Sequence, residues 1–370
     1  MTAAAMPRTT PGATRSLKGM LRRVADAAVT PLELDDVLDH FHPLRRGTEL
    51  RGRIVQVVPE TAQSATLVIK PGRDWDGHVP GQYVRVGVDV DGVRLWRTYS
   101  LTHGPRQDRC ISITVKAIPD GVVSGYLVHR AKVGEMIQLA QPEGEFVLPQ
   151  PLPRKLLLVT AGSGITPVIG MLRNLFSKAT APATDITLVH VNPSESASIF
   201  RDELRAHGAA GRITLVERYD DQHGLLDVSD LTTFVPDLDE RLTYACGPAG
   251  LLDALEAHHA ERGLDLTTER FRPMLVEPGD GGTVTFTNGI TLDADGATPI
   301  LDAAEDAGVL MPSGCRMGIC MGCVLPMRSG AVRDLRNGAI TTAVPGETGP
   351  QGVPIQTCIS AAAGACTIDH

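Results

Sequence analysis

Residues 313–323 read SGCRMGICMGC, and this stretch decides how the C-terminal quarter of the chain is interpreted. Cys315, Cys320 and Cys323 are separated by four and then by two residues. Zinc sites usually combine two C-x2-C pairs, whereas only one such pair is present. A thioredoxin-like thiol pair opens a helix after a strand and has no third cysteine. The chain holds 7 cysteines, an odd number that argues against a disulfide framework.

The spacing is instead that of a plant-type [2Fe–2S] centre, C-x4-C-x2-C with a fourth cysteine farther along. Cys358 lies in the apolar stretch IQTCIS and is the preferred fourth ligand, with Cys366 as the alternative. Glycines allow backbone N–H groups to approach the sulfurs closely, and they stand at 314, 318 and 322. The predicted metal ligands are therefore Cys315, Cys320, Cys323 and Cys358.

Composition limits the classes of protein to consider. A chain of 370 residues is expected to form two or three domains. Hydrophobic residues make up 42% and charged residues 21%, as in ordinary globular proteins. The formal net charge of −8 argues against nucleic acid as a partner. There is no apolar run of membrane-spanning length and no apolar signal segment, so a cytoplasmic location is expected.

Residues 1–48 form an extension with two expected parts. Residues 1–16 are rich in Ala, Thr and Pro and are predicted to be disordered. Residues 17–43 show helical spacing of apolar residues with basic residues alongside. Such a helix either packs on its own protein or makes peripheral contact with the inner face of a membrane.

The rest of the chain changes pattern twice. Residues 49–150 alternate as six short strands, which predicts a small antiparallel barrel. Residues 151–275 alternate strands with helices, which predicts a parallel sheet covered by helices. A Pro/Gly-rich linker at 273–282 leads into the segment 276–370. There a hairpin turning at Asn288-Gly289, a short helix and the cysteine loop are followed by a final strand.

A flavin is the usual carrier between a hydride donor and a one-electron cluster, so the barrel is expected to carry a flavin site. The motif RTYS, residues 97–100, ends a predicted strand. Arg97 can hold a phosphate, Tyr99 can stack on a flavin ring, and Ser100 can reach a ring nitrogen, with Thr98 between them. In isolation the motif is better explained by a strand with a surface arginine and a packed tyrosine, so the flavin interpretation depends on further signals.

A second signal follows the next strand, which ends at Lys116. The stretch GVVSGYL, residues 121–127, opens a predicted helix. Gly121, Val123 and Ser124 would offer N–H groups and a hydroxyl at the helix N-terminus, where a pyrophosphate binds well.

Two motifs in residues 151–275 predict a dinucleotide site. VTAGSGITP, residues 159–167, runs from strand through a Gly-rich turn into a helix, with Gly162, Gly164, Thr166 and Pro167 at the turn. YACGP, residues 244–248, ends another strand, and ligands bind at such ends. Cys246, Gly247 and Pro248 are the candidates there, although Cys246 is equally consistent with a small packed residue.

In this order, the motifs resemble the ferredoxin–NADP reductase superfamily, and specifically single-chain reductases with a C-terminal plant-type ferredoxin domain. The resemblance covers about residues 49–370. It implies a six-stranded antiparallel Greek-key flavin barrel, a parallel-sheet α/β nucleotide domain and a β-grasp ferredoxin domain. It also implies that the RTYS and GVVS residues bind flavin and that Gly162, Thr166 and residues 246–248 line the nicotinamide site. Residues 77–102 and TERF, 268–271, are most similar to actinobacterial reductases that serve acyl-CoA desaturases.

The cofactors follow from these motifs. The GVVS helix start suits a pyrophosphate and hence FAD, although phthalate-dioxygenase-type reductases use FMN with a similar RxYS motif. Asn192 and Ser194 after the second strand, with Arg201 beyond, favour NADPH, whereas Glu195 favours NADH. NADPH is thus expected to reduce the flavin, which reduces the cluster one electron at a time.

The acceptor expected from the resemblance is a membrane fatty-acyl desaturase. A Rieske oxygenase or a cytochrome P450 is the alternative acceptor. A redox-sensing module is the alternative class of function, but it would have no use for a nucleotide domain.

Overall fold

The computed structural model describes residues 44–45, 49–90, 93–119, 121–177, 182–271, 279–314, 316, 318, 321–346 and 351–370. The expected helix at 17–43, the cysteines at 315 and 320, and part of the 273–282 linker lie outside these residues. In the part of the chain that is described, no helix is both long and apolar enough to span a membrane.

The first sheet is antiparallel, with its strands in the order β4-β3-β6-β1-β2-β5. A bridge between Leu101, just after β4, and Ile113 in β5 joins the two edge strands, so the sheet closes into a barrel. Its interior is filled by aliphatic side chains such as Ile54, Leu67 and Val84. The elements are β1 (Arg51–Thr61), β2 (Ser64–Pro71), β3 (Tyr83–Val90), β4 (Val93–Ser100), β5 (Ile111–Lys116), α1 (Val122–His129) and β6 (Met136–Leu139).

The second sheet is parallel, with its strands in the order β11-β10-β7-β8-β9. Its central strands are buried along nearly their whole length because helices cover both faces, each over a separate hydrophobic cluster. The elements are β7 (Lys155–Ala161), α2 (Ile165–Phe176), β8 (Asp185–Asn192), α3 (Arg201–Ala209), β9 (Thr214–Tyr219), α4 (Asp220–His223), α5 (Leu231–Phe234), β10 (Leu242–Cys246), α6 (Ala249–Arg262) and β11 (Leu266–Glu269).

The third sheet runs in the order β13-β12-β17-β14-β15, and β16 pairs with β14. Strands β12 and β17 are parallel, whereas their other neighbours are antiparallel. Helix α7 packs on this sheet through Ile300 and Leu301. The elements are β12 (Gly279–Phe286), β13 (Thr291–Gly296), α7 (Ile300–Asp306), β14 (Val324–Asp334), β15 (Ile340–Ala343), β16 (Val353–Gln356) and β17 (Ser360–Ile368).

The predicted fold class is confirmed: an antiparallel barrel is followed by a parallel α/β sheet and a third, ferredoxin-type unit. Some elements differ from the expectation. Strands β11 and β14 to β16 were not predicted, because VLPMRSGAVRD in β14 shows no alternation of apolar and polar residues. Gly279–Gly282, expected in the linker, opens β12 with a register shift. The pattern of residues 197–208 predicts a helix, but α3 begins only at Arg201.

Candidate functional site

A cavity of about 140 Å³ opens where the barrel meets the second sheet. The end of β4 contributes Thr98, Tyr99 and Ser100, and β5 contributes Lys116. Thr166 reaches the cavity from the first turn of α2, and Glu269 from the end of β11. Three of the four RTYS residues and the start of the Gly-rich helix, predicted separately from sequence, therefore line the same cavity, whereas Arg97 does not line it.

Three polar atoms in this cavity have unused hydrogen-bonding capacity. Thr98 Oγ1, Ser100 Oγ and Glu269 Oε2 are buried and have no hydrogen-bond partner among the described residues. Buried polar atoms are costly when unpaired, so such a cluster indicates a ligand that pairs with them. Burial also raises the pKa of the neighbouring Tyr99, which keeps its ring uncharged. A flavin has a flat aromatic ring with polar atoms along one edge, and the residues present fit it.

Glu269 is a site residue that sequence reasoning did not single out. Burial raises the pKa of its carboxyl to about 8, so at neutral pH it holds a proton and can donate a hydrogen bond. Its one sequence signal was TERF, used only for the resemblance. Recognising that Leu266–Glu269 is a parallel strand would have placed Glu269 at the strand end where ligands bind.

A second cavity, of about 510 Å³, adjoins the first. Lys116, Ser163 and Phe271 line both cavities, so a ligand in one would lie beside a ligand in the other. The second cavity is also lined by Gly162, Gly164, Asn192, Asp220, Gly247, Pro248 and Arg270. This lining contains the two motifs predicted to bind a dinucleotide.

Gly164 shows why a glycine is needed at the turn. A Cβ there would lie 2.0 Å from the carbonyl oxygen of Cys246, so any larger residue would separate α2 from β10. The Cys246 side chain is itself fully buried, and the burial and Glu269 hold its pKa well above the usual range. Cys246 lines neither cavity, and Pro167 is likewise buried within α2.

A third cavity, of about 770 Å³, lies at the N-terminus of α1. It shares Ile118 with the 140 Å³ cavity that contains Thr98, Ser100 and Glu269, which is called the flavin-type cavity below. Gly121 lines it, and a Cβ at Gly121 would lie 2.3 Å from Ser124 Oγ. Ser124 Oγ donates to the Gly121 carbonyl and accepts from the Ile118 N–H, so it shapes the turn. The Val123 side chain packs in the barrel core. The helix N-terminus and its open space suit a pyrophosphate linked to the ring cavity.

Arg97 lies where the ferredoxin-type unit meets the barrel. Its Nη1 donates to the Trp96 carbonyl at 2.7 Å. Burial and the nearby Arg316 lower the pKa of Arg97, while Glu305 and Asp302 act in the opposite direction. Arg316 follows the first predicted cluster ligand and donates to Asp302 at 2.6 Å and to Glu305 at 2.5 Å. The structure thus brings Arg316 and α7 beside a residue of the RTYS motif.

Two of the predicted cluster ligands are within the described residues. Cys323 and Cys358 are both buried, and they belong to the same core cluster. Thr357, adjacent to Cys358, donates to the Cys323 carbonyl from its Oγ1 at 3.0 Å and from its N–H at 3.2 Å. Thiolates held together in this way are the ligands an iron–sulfur cluster requires.

Cys366 belongs to the same core cluster, but it lies within β17 between β12 and β14, opposite Val284 and Gly330. Burial raises the pKa of its thiol to about 11, which favours the protonated form. The side chain fills space in the core of the third sheet.

Comparison with known proteins agrees with this layout. Residues 64–148 match the oxidoreductase FAD-binding domain, and residues 158–257 match the oxidoreductase NAD-binding domain. Residues 285–363 match the 2Fe-2S iron-sulfur cluster binding domain. The three matches follow one another in the order of the three sheets.

Whole-chain relatives share the arrangement. An NADPH oxidoreductase of Mycobacterium tuberculosis is 44% identical over 360 residues, which cover 94% of this chain and 92% of the relative. The ferredoxin reductase component of 3-ketosteroid-9-alpha-monooxygenase from the same species is 30% identical, over 75% of this chain and 85% of the relative. The structure of phthalate dioxygenase reductase superimposes with a TM-score of 0.60 at 22% identity, covering 86% of this chain and 97% of that one. This chain therefore belongs to the ferredoxin–NADP reductase superfamily, as a single-chain oxidoreductase with FAD-, NAD(P)- and [2Fe–2S]-binding domains.

Proposed function

We propose that this protein takes electrons from NADPH and delivers them, through FAD and a [2Fe–2S] cluster, to the oxygenase component of a monooxygenase or dioxygenase system. The observation that carries the proposal is the pair of adjoining cavities with shared lining residues. One has orphaned polar atoms that fit a flavin, and the other has the glycines of a dinucleotide site. Bound FAD would supply the step between a two-electron hydride donor and a one-electron cluster.

The residues of this chain would divide the work as follows. Thr98, Ser100 and Glu269 would bind the polar edge of the flavin ring, and Tyr99 would pack against the ring. Gly121 and the α1 N-terminus would hold the pyrophosphate. Gly162, Gly164, Gly247 and Pro248 would hold the dinucleotide, and Phe271 would separate the two ligands. Cys315, Cys320, Cys323 and Cys358 would bind the cluster.

Charges after β8 support NADPH as the donor. Glu195, the acidic residue that argued for NADH, accepts a salt bridge from Arg205 at 2.9 Å and lies 3.7 Å from Arg201. These ion pairs engage Glu195 and make it less available to a ribose 2′-hydroxyl, while Arg201 and Arg205 also pair with Asp202 and Glu217. The relative that matches 94% of the chain also has NADPH in its name.

The acceptor proposed first differs from the desaturase expected from sequence. The monooxygenase reductase component from M. tuberculosis supports an oxygenase, because its name identifies its acceptor system. A desaturase acceptor rests on the resemblance of residues 77–102 and 268–271, and it enters the test as the competing outcome. A purely sensing role would require the dinucleotide site to be unused.

The test is anaerobic reduction of the purified holoprotein followed by reconstitution. NADPH should bleach the flavin and then the cluster absorbance, with a kcat/KM at least about tenfold above that for NADH. The reduced protein should support turnover of a purified oxygenase component and give less with a desaturase. Efficient turnover of the desaturase alone would overturn the acceptor proposal. If neither NADPH nor NADH bleaches the protein, the reductase proposal is wrong.

Contact with a membrane through residues 17–43 remains a prediction. The basic amphipathic pattern is the reason to expect it. Full-length protein should bind anionic vesicles more tightly than a variant lacking residues 1–45, at low salt. Equal binding of the two would contradict this prediction.

A further inference from the structure

Helix α2 begins at the two ligand cavities and packs along the barrel. Its first turn carries Thr166 in the flavin-type cavity, next to the glycines of the dinucleotide cavity. Its middle sits directly on the barrel segment that follows Ser100. A Cβ at Gly170 would lie 2.4 Å from the Leu101 carbonyl oxygen, and a Cβ at Gly104 would lie 2.5 Å from Asn174 Oδ1.

Arg173, one turn farther along α2, ties this contact together. Its Nη1 donates to the Thr102 carbonyl of the barrel at 2.9 Å. Its Nε and Nη2 donate to the two carboxylate oxygens of Glu203 in α3, at 2.8 and 2.6 Å. The side chain is only 16% exposed, so solvent screens these charge-assisted bonds less than it would on the surface.

The start of α3 is shaped to complete the same contact. Phe200 precedes the helix with φ of 60°, in the left-handed region that bulky residues rarely adopt. Its ring is buried, and the Arg173 guanidinium lies 4.7 Å from the ring centroid. A strained backbone persists where surrounding contacts hold it in place, and here the held side chain supports the arginine.

We propose that Arg173, held by Glu203 and Phe200, is a positioning residue that fixes the barrel against the nucleotide domain and so sets the distance between flavin and nicotinamide. The proposal rests on the flavin and dinucleotide sites proposed above. Hydride transfer depends steeply on the separation and alignment of the two reacting atoms. The bidentate pair with Glu203 lies within the nucleotide domain and fixes the guanidinium, and Nη1 of that fixed group contacts the barrel at the Thr102 carbonyl and at His103 Nδ1.

The test compares R173Q, R173K and E203Q with R262Q in the full-length holoprotein. Arg262 is the matched control, since it makes a similar bidentate pair with Asp239, but within the nucleotide domain alone. At saturating NADPH, R173Q should slow flavin bleaching roughly 10- to 100-fold and weaken the charge-transfer absorbance between nicotinamide and flavin. The apparent Kd for NADPH should change by less than about threefold, since the binding residues are intact.

R173K keeps the charge without the fork and should fall between R173Q and wild type, while R262Q should stay within about twofold of wild type. Wild-type bleaching in R173Q, an equal effect of R262Q, or loss of FAD from R173Q and R173K would each overturn the proposal.

Calorimetry of the same proteins provides a readout independent of catalysis. The barrel and the nucleotide domain should unfold in one transition in wild type and in two in R173Q. If NADPH and NADH both fail to bleach wild-type protein, the proposed function is wrong. Calorimetry would still test whether Arg173 holds the barrel against the nucleotide domain. Identical transitions in wild type and R173Q would then contradict it.

Discussion

Glu269 lies in the flavin-type cavity with a buried carboxyl oxygen that has no hydrogen-bond partner among the described residues. Burial also raises the pKa of its carboxyl. Its ordinary value is 4.5, and burial raises the pKa to about 8. Between these values the folded carboxyl keeps a proton that the unfolded chain has lost. The free energy of unfolding must therefore fall as pH rises through this interval.

We expect E269Q to weaken this pH dependence in protein stripped of FAD, because a glutamine does not titrate. The measurement is the difference in Tm between about pH 5 and about pH 8, which should be smaller in E269Q than in wild type. E261Q on the exposed face of α6 is the control and should keep the wild-type difference. Equal differences in E269Q and wild type would show that the carboxyl titrates normally.

At the scale of elements, the packing of α2 on the barrel depends on the absence of a side chain at Gly170. Gly208 in α3 is also helical, but a Cβ there would lie 3.4 Å from the Leu215 Cβ, an ordinary contact. A side chain at Gly170 would therefore collide with the barrel backbone, whereas a side chain at Gly208 would make only an ordinary contact.

G170A should lower the free energy of unfolding by about 1–3 kcal/mol, because the new methyl group meets a backbone carbonyl that cannot turn aside. G208A should raise it by up to about 1 kcal/mol through helix propensity. Denaturant unfolding measures both. A G170A protein as stable as G208A would mean that α2 can shift away from Leu101 without cost.

At the scale of the whole molecule, the position of the third unit relative to the barrel matters, because this unit is proposed to pass electrons out of the protein. Arg316 and α7 lie within electrostatic reach of Arg97, so this part of the third unit lies beside the RTYS motif of the barrel. Cys358 follows Thr357, which hydrogen-bonds to the Cys323 carbonyl, whereas Cys366 lies within β17 opposite Val284 and Gly330.

C358S should lose iron and the cluster's EPR signal while retaining FAD and bleaching by NADPH. Cytochrome c reduction should fall by at least about tenfold, since the route out of the flavin is broken. C366S is the matched cysteine control and should retain iron and the EPR signal. Loss of the cluster in C366S but not in C358S would reverse the assignment of the fourth ligand.

Local pattern was sufficient for much of this protein. The six barrel strands follow from alternation, and the parallel sheet follows from strands alternating with helices, because side-chain periodicity reflects backbone geometry directly. The spacing of Cys315, Cys320 and Cys323 points to one metal centre, because a cluster constrains residues that are close in sequence. The Gly-rich turn at 162–164 is readable for the same reason.

Only the tertiary structure decides which residues lie next to these motifs. Glu269 joins Thr98 and Ser100 because β11 pairs with β10 at the sheet edge next to the barrel, a placement that no local period encodes. Cys246, a candidate for the nicotinamide face, is buried because its side chain packs in a hydrophobic cluster of the second sheet. Burial, pKa and the left-handed conformation of Phe200 arise from contacts between residues distant in sequence, and those contacts exist only in the folded chain.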